Sequence, residues 1–233
     1  MNRLLPELNR LYGLSTDAMA GHGTRAVVLS VVMPVGWQQL GAVWRGVQSD
    51  LELPAPAIAV SGTDALQLWF SFASPISPAE GARFLEGLRD RYLQGVRPAQ
   101  IGMFTEAAEL PPAPCVEVGP QRWSAFVTHD LASIFDETPW LDLPPNDEGQ
   151  ANILRMLEPI KQMAFDVAMN QLAVVEDEVA FRESVAAKVA PMGGRPNADP
   201  ARFLLGVMND EAAPLALRIE AARALLPYSS LSS

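Results

Sequence analysis

The stretch Arg25–Leu93 decides the fold. It opens with Ala26-Val27-Val28-Leu29-Ser30-Val31-Val32, an apolar run rich in β-branched residues, which reads as a strand. From Trp37 to Leu51, the residues Trp37, Leu40, Val43, Trp44, Val47 and Leu51 recur at three and four positions, the period of a helix that buries one face. After the turn Leu53-Pro54-Ala55-Pro56 comes a short strand, Ala57-Ile58-Ala59-Val60, then Ser61-Gly62-Thr63-Asp64 and the segment Leu66-Gln67-Leu68-Trp69-Phe70-Ser71-Phe72. There Leu66, Leu68, Phe70 and Phe72 alternate with Gln67, Trp69 and Ser71, which predicts a half-buried strand with the first set inward and the second outward. An outward Trp69 is either covered by another element or offers a stacking surface for a base or a partner. A second helix is expected over Ser77–Leu93, with Ala79, Phe84, Leu85, Leu88, Tyr92 and Leu93 on one side and Gly95 just past its end. Strand, helix, strand, strand, helix predicts an α/β or α+β sandwich rather than a helical bundle.

This order of elements resembles the catalytic core of the archaeo-eukaryotic primase superfamily over Arg25–Leu93 of the 233 residues. The resemblance implies a primase-like, RRM-like α/β sandwich. In that family the first strand carries two metal-binding aspartates, and a Ser-Gly turn leads to a strand bearing a histidine. The corresponding positions here hold Ser30, Val32 and Gln67. Two-metal phosphoryl transfer needs carboxylates that hold cations roughly 3.5–4 Å apart. A serine hydroxyl replaces a carboxylate poorly around Mg²⁺, valine does not replace it at all, and glutamine does not titrate. The resemblance therefore implies the fold without the chemistry: no catalytic residue, metal or cofactor is expected. Arg25, Ser30, Ser61, Asp64, Gln67 and Trp69 are the binding candidates, with Gln67 suited to hydrogen-bonding a phosphate or sugar. The competing reading is an enzyme of another class acting on a nucleotide or small molecule in a cleft near Ser61–Gln67.

Bulk properties narrow the partners. Hydrophobic residues make up 49% of the chain and charged ones 19%, enough apolar material for a packed core. The net charge is −10, and Lys161 and Lys188 are the only lysines beside fifteen arginines. Such a field opposes electrostatic coating of nucleic acid, which depends on clustered cations, and leaves nucleotide or nucleic-acid binding as a minor expectation. Cys115 is the only cysteine, so an intramolecular disulfide and a cysteine-based zinc site are excluded. His22 and His129 are the only histidines. Ser124, His129 and Asp130 make a poor triad, because a carboxylate adjacent in sequence rarely orients the imidazole. Apolar runs fall short of the ~18–20 residues of a membrane span, and the N-terminus lacks the apolar core of a secretion signal. A cytoplasmic protein without membrane contact is expected.

Around this core, Leu4, Leu5, Leu8, Leu11 and Leu14 predict a leading helix that stops near Gly13. Arg97–Gly119 reads as an extended loop or edge strand, Trp123–Val127 as a strand, and Asp130–Phe135 as a short helix capped by Asp130. Leu143-Pro144-Pro145-Asn146-Asp147 marks a boundary, giving an α/β domain over 1–145, a helical segment over 146–190 and a C-terminal hairpin over 191–233. In the helical segment Ile153, Leu154, Leu157, Ile160 and Ala164 form one stripe that Pro159 is expected to kink. Asp199-Pro200 starts the first hairpin helix, Pro214 the second, and Pro227 ends it. The run from Phe203 to Asp210, followed by Pro214–Tyr228 with its Arg218, Ala221, Ala222, Pro227 and Tyr228, resembles a tail of phage packaging and other mobile-element proteins. It equally fits a hairpin of the HEAT type. Either way Leu215, Arg218, Ile219, Ala222 and Tyr228 are docking candidates, and a protein partner or self-association is the expected use.

Overall fold

The alternation in Leu66–Phe72 builds the longest strand among the described residues, and both of its faces are buried. A computed structural model describes residues 3–14 and 23–173, together with 204, 208, 209, 218, 222 and 223. In chain order the elements are α1 (Leu4–Tyr12), β1 (Thr24–Val32), α2 (Trp37–Ser49), β2 (Ala57–Val60), β3 (Ala65–Ile76), α3 (Pro78–Tyr92), β4 (Ile101–Phe104), β5 (Glu117–Gly119), β6 (Arg122–Trp123), β7 (Ala125–Val127) and α4 (Asp147–Arg155). A 3-10 helix covers His129–Phe135, and residues 162–173 are helical. Five strands form one sheet in the order β4-β1-β3-β2-β7, and every neighbouring pair is antiparallel. β5 and β6 pair separately. The architecture is α+β.

Local signals explain most boundaries. α1 stops at Gly13, whose φ of 64° is the left-handed conformation that glycine adopts without a Cβ penalty. α3 opens with a capping box: the Ser77 hydroxyl accepts from the Glu80 backbone, and the Glu80 carboxylate accepts from the Ser77 backbone. Those hydrogen bonds hold the Glu80 carboxyl below its ordinary range. α2 has no cap of its own, since Gly36 precedes it. The Asp136 carboxylate, 99 residues on, accepts the Trp37 N–H in its place.

The first face of the sheet carries Val27, Leu29, Val31, Ile58, Val60, Leu66, Leu68, Phe70 and Phe72, packed against Leu40, Val43, Val47, Phe84, Leu85 and Leu88 of α2 and α3. Phe165, Ala168 and Leu172 of the 162–173 helix close the same core. Phe70 meets Phe84, and Phe72 meets Phe165, edge to face at 5.2 Å, an arrangement that aromatic quadrupoles favour. The second face was expected to be outward. Instead Trp69 is 1% exposed, buried with Ala26, Val28, Ala57, Ala59 and Phe126 beneath Leu4, Leu8, Leu11 and Tyr12 of α1 and Ala151 and Leu154 of α4. Two helices therefore cover what alternation alone reads as a solvent face.

Other expectations shift for backbone reasons. The strand expected over Trp123–Val127 divides at Ser124, whose hydroxyl and backbone bond Val116. Asp130 does not cap a helix; the 3-10 turn starts at His129 and Asp130 pairs with the His129 ring at 3.1 Å. Pro159 ends rather than kinks its helix. α4 stops at Arg155, and Ile160 lies extended, its N–H donating to Ser71 O and its carbonyl accepting from Ala73 N. The edge-strand reading within Arg97–Gly119 falls on Ile101–Phe104.

The chain divides into two compact units, Met1–Phe181 and Arg182–Ser233. In the second, residues 204, 208, 209, 218, 222 and 223 are helical, and Arg218 Nε donates to the Met208 carbonyl at 3.0 Å.

Phe70 is fully buried in the first-face core. Phe70→Ala should therefore cost on the order of 3–5 kcal/mol in denaturant melts. A loss below ~1 kcal/mol would mean that Phe70 does not lie in a packed core.

Candidate functional site

Three of the six binding candidates, Ser30, Gln67 and Trp69, lie on the second sheet face, where the strand register can be read row by row. Ser30 of β1 lies opposite Gln67 of β3 and Gly102 of β4; Gln67 lies opposite Ala59 of β2, and Ala59 opposite Phe126 of β7. The next row holds Phe104, Val28, Trp69 and Ala57. The Ser30–Gln67 row is thus floored by glycine and alanine, whereas the Trp69 row is filled by large side chains. A Cβ placed on Gly102 would stand 3.3 Å from Ser30 Cβ and 3.0 Å from the Phe104 ring, so the floor is close-fitting.

Gln67 and Trp69 act as one unit. Trp69 Nε1 donates to Gln67 Oε1 at 3.0 Å in a buried hydrogen bond. That bond satisfies the indole and fixes the carboxamide with its Nε2 turned away from it. Tyr12 covers the pair: its ring meets Trp69 edge-on at 5.4 Å and stacks on Phe126 at 6.3 Å. Burial pushes the Tyr12 phenol up, well beyond the ordinary tyrosine range, so its hydroxyl stays protonated.

The remaining candidates are engaged in holding the fold. Arg25 Nε donates to Phe72 O and Nη2 to Arg10 O, both at 3.0 Å, which ties the end of α1 to the strands beneath. Ser61 Oγ accepts from Thr63 N and Ala65 N, while Ser61 N donates to Ala65 O and Gly62 N to Pro139 O. Four of the five backbone donors over Ser61–Ala65 are therefore committed within the protein, which leaves no nest of free N–H groups for a phosphate. Gly62, at φ 83°, is wedged against Val118 and Ser124, so this turn packs against the β5–β6 hairpin. Asp64 is exposed and accepts from the Thr63 hydroxyl. Among the described residues no three His, Cys, Asp or Glu side chains converge on a common point.

Two features fell outside the sequence reading. Gln150 of α4, 7% exposed, acts as a surrogate strand on the outer edge of β7: its Oε1 accepts from Phe126 N at 2.7 Å and its Nε2 donates to Phe126 O at 3.0 Å. The Cys115 thiol donates to the same Oε1 at 3.2 Å. Burial pushes that thiol up to about 12. Beside α2, the His129 ring stacks on Trp44 at 4.5 Å and meets Trp37 edge-on, clamping the 3-10 turn to the helix. Tyr12 carried a detectable signal, since it shares the helical stripe of Leu4, Leu8 and Leu11. Gln150 and His129 carried none, because their partners lie far off in sequence.

Of the docking candidates, Arg218 and Ala222 are helical and half-buried, while Leu215, Ile219 and Tyr228 lie outside the described residues. Compared with known proteins, the sequence matches no family model and no curated relative.

A thiol held protonated reacts slowly, because the thiolate is the nucleophile. Cys115 should resist iodoacetamide at neutral pH in the folded protein and label at an ordinary rate in denaturant. Gln150→Leu, which removes the acceptor and frees the β7 edge, should cost ~1–3 kcal/mol and accelerate labelling. Equal labelling rates for folded wild type and denatured chain would refute this account of the edge.

Proposed function

We propose that the protein is a non-catalytic binding or scaffold protein built on a degenerate primase-like, RRM-like core, working in a replication, packaging or mobile-element setting. The observation that carries this reading is the closed second face. In RRM-like sheets this is the face on which bases stack against exposed aromatic side chains. Here Trp69 and Phe126 lie under the protein's own Tyr12, and two helices occupy the space that a strand of nucleic acid would need.

The chemistry of the site supports the same reading. Ser30, Val32 and Gln67 supply neither paired carboxylates nor an imidazole at the positions where the resembling family holds metals. The Ser61–Ala65 turn, the setting of the competing enzyme reading, spends its donors on itself and on Pro139. A binding role asks less of these residues. It needs a rigid body and surfaces for partners, and the C-terminal hairpin with its stripe of Leu215, Ile219 and Ala222 is the expected docking element.

Incubation with Mn²⁺ or Mg²⁺, nucleoside triphosphates and a primed single-stranded template should give no incorporation, and calorimetric titration with Mn²⁺ should reveal no site of micromolar affinity. Metal-dependent extension that disappears in Ser30→Ala would overturn the reading. For the docking role, deletion of residues 195–233 should leave the melting transition of the remainder in place and lower the oligomeric mass measured by light scattering. Loss of the transition would assign the hairpin to the core instead.

A further inference from the structure

The two edges of the sheet are treated differently. At β7 all three residues are buried, and Gln150 takes the outward N–H and carbonyl of Phe126. At β4 all four residues are half-buried, and among the described residues no strand or side chain pairs with its outer side. Native sheets blunt an open edge with charge, proline or a bulge. Ile101-Gly102-Met103-Phe104 holds no charged residue and no proline, and its register with β1 is unbroken.

Alternation along the strands decides which groups of β4 face outward. Ala65 O accepts from Ser61 N at the turn between β2 and β3, so Ala65 and every second residue after it turn their backbone groups toward β2. Leu66, Leu68 and Phe70 then bond β1 at Val31, Leu29 and Val27, which leaves Val28 and Ser30 to bond Phe104 and Gly102 of β4. Ile101 and Met103 turn theirs away from the sheet. The Ile101 N–H is taken by Pro98 O in the 3-10 turn over Pro98–Gln100. The Ile101 carbonyl and the N–H and carbonyl of Met103 remain, and none of the three has a hydrogen bond among the described residues.

From this we infer that β4 is a docking edge for a second copy of the chain, paired antiparallel β4 to β4 about a two-fold axis at Met103. In that register each Met103 N–H donates to the other copy's Met103 carbonyl, and each Ile101 carbonyl accepts from the other's Thr105 N–H. The free groups are used, and the Ile101 N–H that is already bonded is not needed. Charge favours a copy of this chain over a foreign strand. Exposed Arg97 precedes β4, and exposed Glu106 and Glu109 follow it. Antiparallel pairing sets each Arg97 beside the acidic end of the other strand, whereas a strand of uniform charge satisfies one end only. The contact is isologous, the commonest form of self-association. The net charge of −10 on each copy opposes approach but is screened over ~8–10 Å at physiological salt, so the dimer is weak and concentration-dependent. The β4 edge is independent of the second face, so nucleotide incorporation, which would sink the non-catalytic reading, leaves the dimer standing.

Sedimentation velocity on the full chain, from micromolar to near-millimolar concentration, should show a monomer–dimer equilibrium. Hydrogen exchange at the Met103 and Thr105 amides should slow as the dimer forms. Met103→Pro removes the central donor at an edge where proline is tolerated, and should leave only monomer, with circular dichroism and melting near wild type. Arg97→Glu should weaken association about tenfold, because both symmetric ion contacts turn repulsive, and adding Glu106→Arg and Glu109→Arg should restore it. If Met103→Pro fails to fold, the charge swap decides. A monomer at every concentration overturns the proposal, as does a dimer indifferent to Met103→Pro or a charge swap that restores nothing. Association that leaves exchange at Met103 and Thr105 unchanged runs through another surface, the C-terminal hairpin included, and overturns it too.

Discussion

Trp69 imposes the constraint from which the rest of the second face follows. An indole on the middle of a central strand has about 150–250 Å² to bury and one N–H to satisfy. The N–H goes to Gln67 two residues earlier on the same face, at 3.0 Å, so the polar residue of the strand is consumed by the aromatic one. The area goes to α1 and α4. Their placement is fixed in turn by arginines acting on carbonyl oxygens. Arg10 of α1 donates to Leu154 O at 2.9 Å and Leu157 O at 3.1 Å, satisfying the end of α4, while Arg25 donates to Arg10 O. A chain with a net charge of −10 thus places some of its few cations where they hold helices to the sheet rather than where they attract an anion.

The outer limits of the sheet obey the same accounting. An exposed edge strand leaves donors and acceptors unpaired, and β7 meets this with a side chain rather than another strand. The Gln150 carboxamide presents one acceptor and one donor in the geometry of a peptide group, and Phe126 takes both. α2 is treated similarly: its free N-terminal donor at Trp37 is met by Asp136, and two turns along, Trp44 is met by His129. These contacts join residues 24 and 99 positions apart, so neither the β7 edge nor the α2 terminus is complete until distant segments have come together. Such long-range closure makes folding cooperative over the described body.

Much of the fold was legible in the sequence because the relevant signals are local. The three- and four-residue spacing of Trp37–Leu51, the Ser77–Glu80 capping box, Gly13 after the leucine stripe and the alternation of Leu66–Phe72 each declare themselves within a few residues. What could not be read was what lies above a strand face. Gln67, Trp69 and Ser71 have the same pattern whether water or two helices cover them, and only the tryptophan departs from a solvent face. Ile101–Phe104 is too short for periodicity to show, and proline before it reads as loop. The site was legible only in part. Its strand residues were identifiable because register follows from alternation, but Gly102, Ala59 and Tyr12 join it through tertiary structure, and small residues announce nothing by themselves.

The neutral side chains of Ser30 and Gln67 are matched to the cover above them. An ionised carboxylate at position 30 would be costly beneath the apolar cover of Leu4, Leu8, Leu11 and Tyr12. Serine and glutamine are compatible with that closure because they are neutral and short of partners by one hydrogen bond rather than by a charge. Burial of Trp69 and neutral side chains at positions 30 and 67 are therefore mutually consistent: an ionised pair beneath the helices that cover the indole would destabilise the cover, and neutral groups permit it. The same logic limits what approaches from outside. A phosphate would find at most one uncommitted amide at the Ser61–Ala65 turn, since four of its five backbone donors are bonded within the protein, and the Arg25 guanidinium is bound to Phe72 and Arg10.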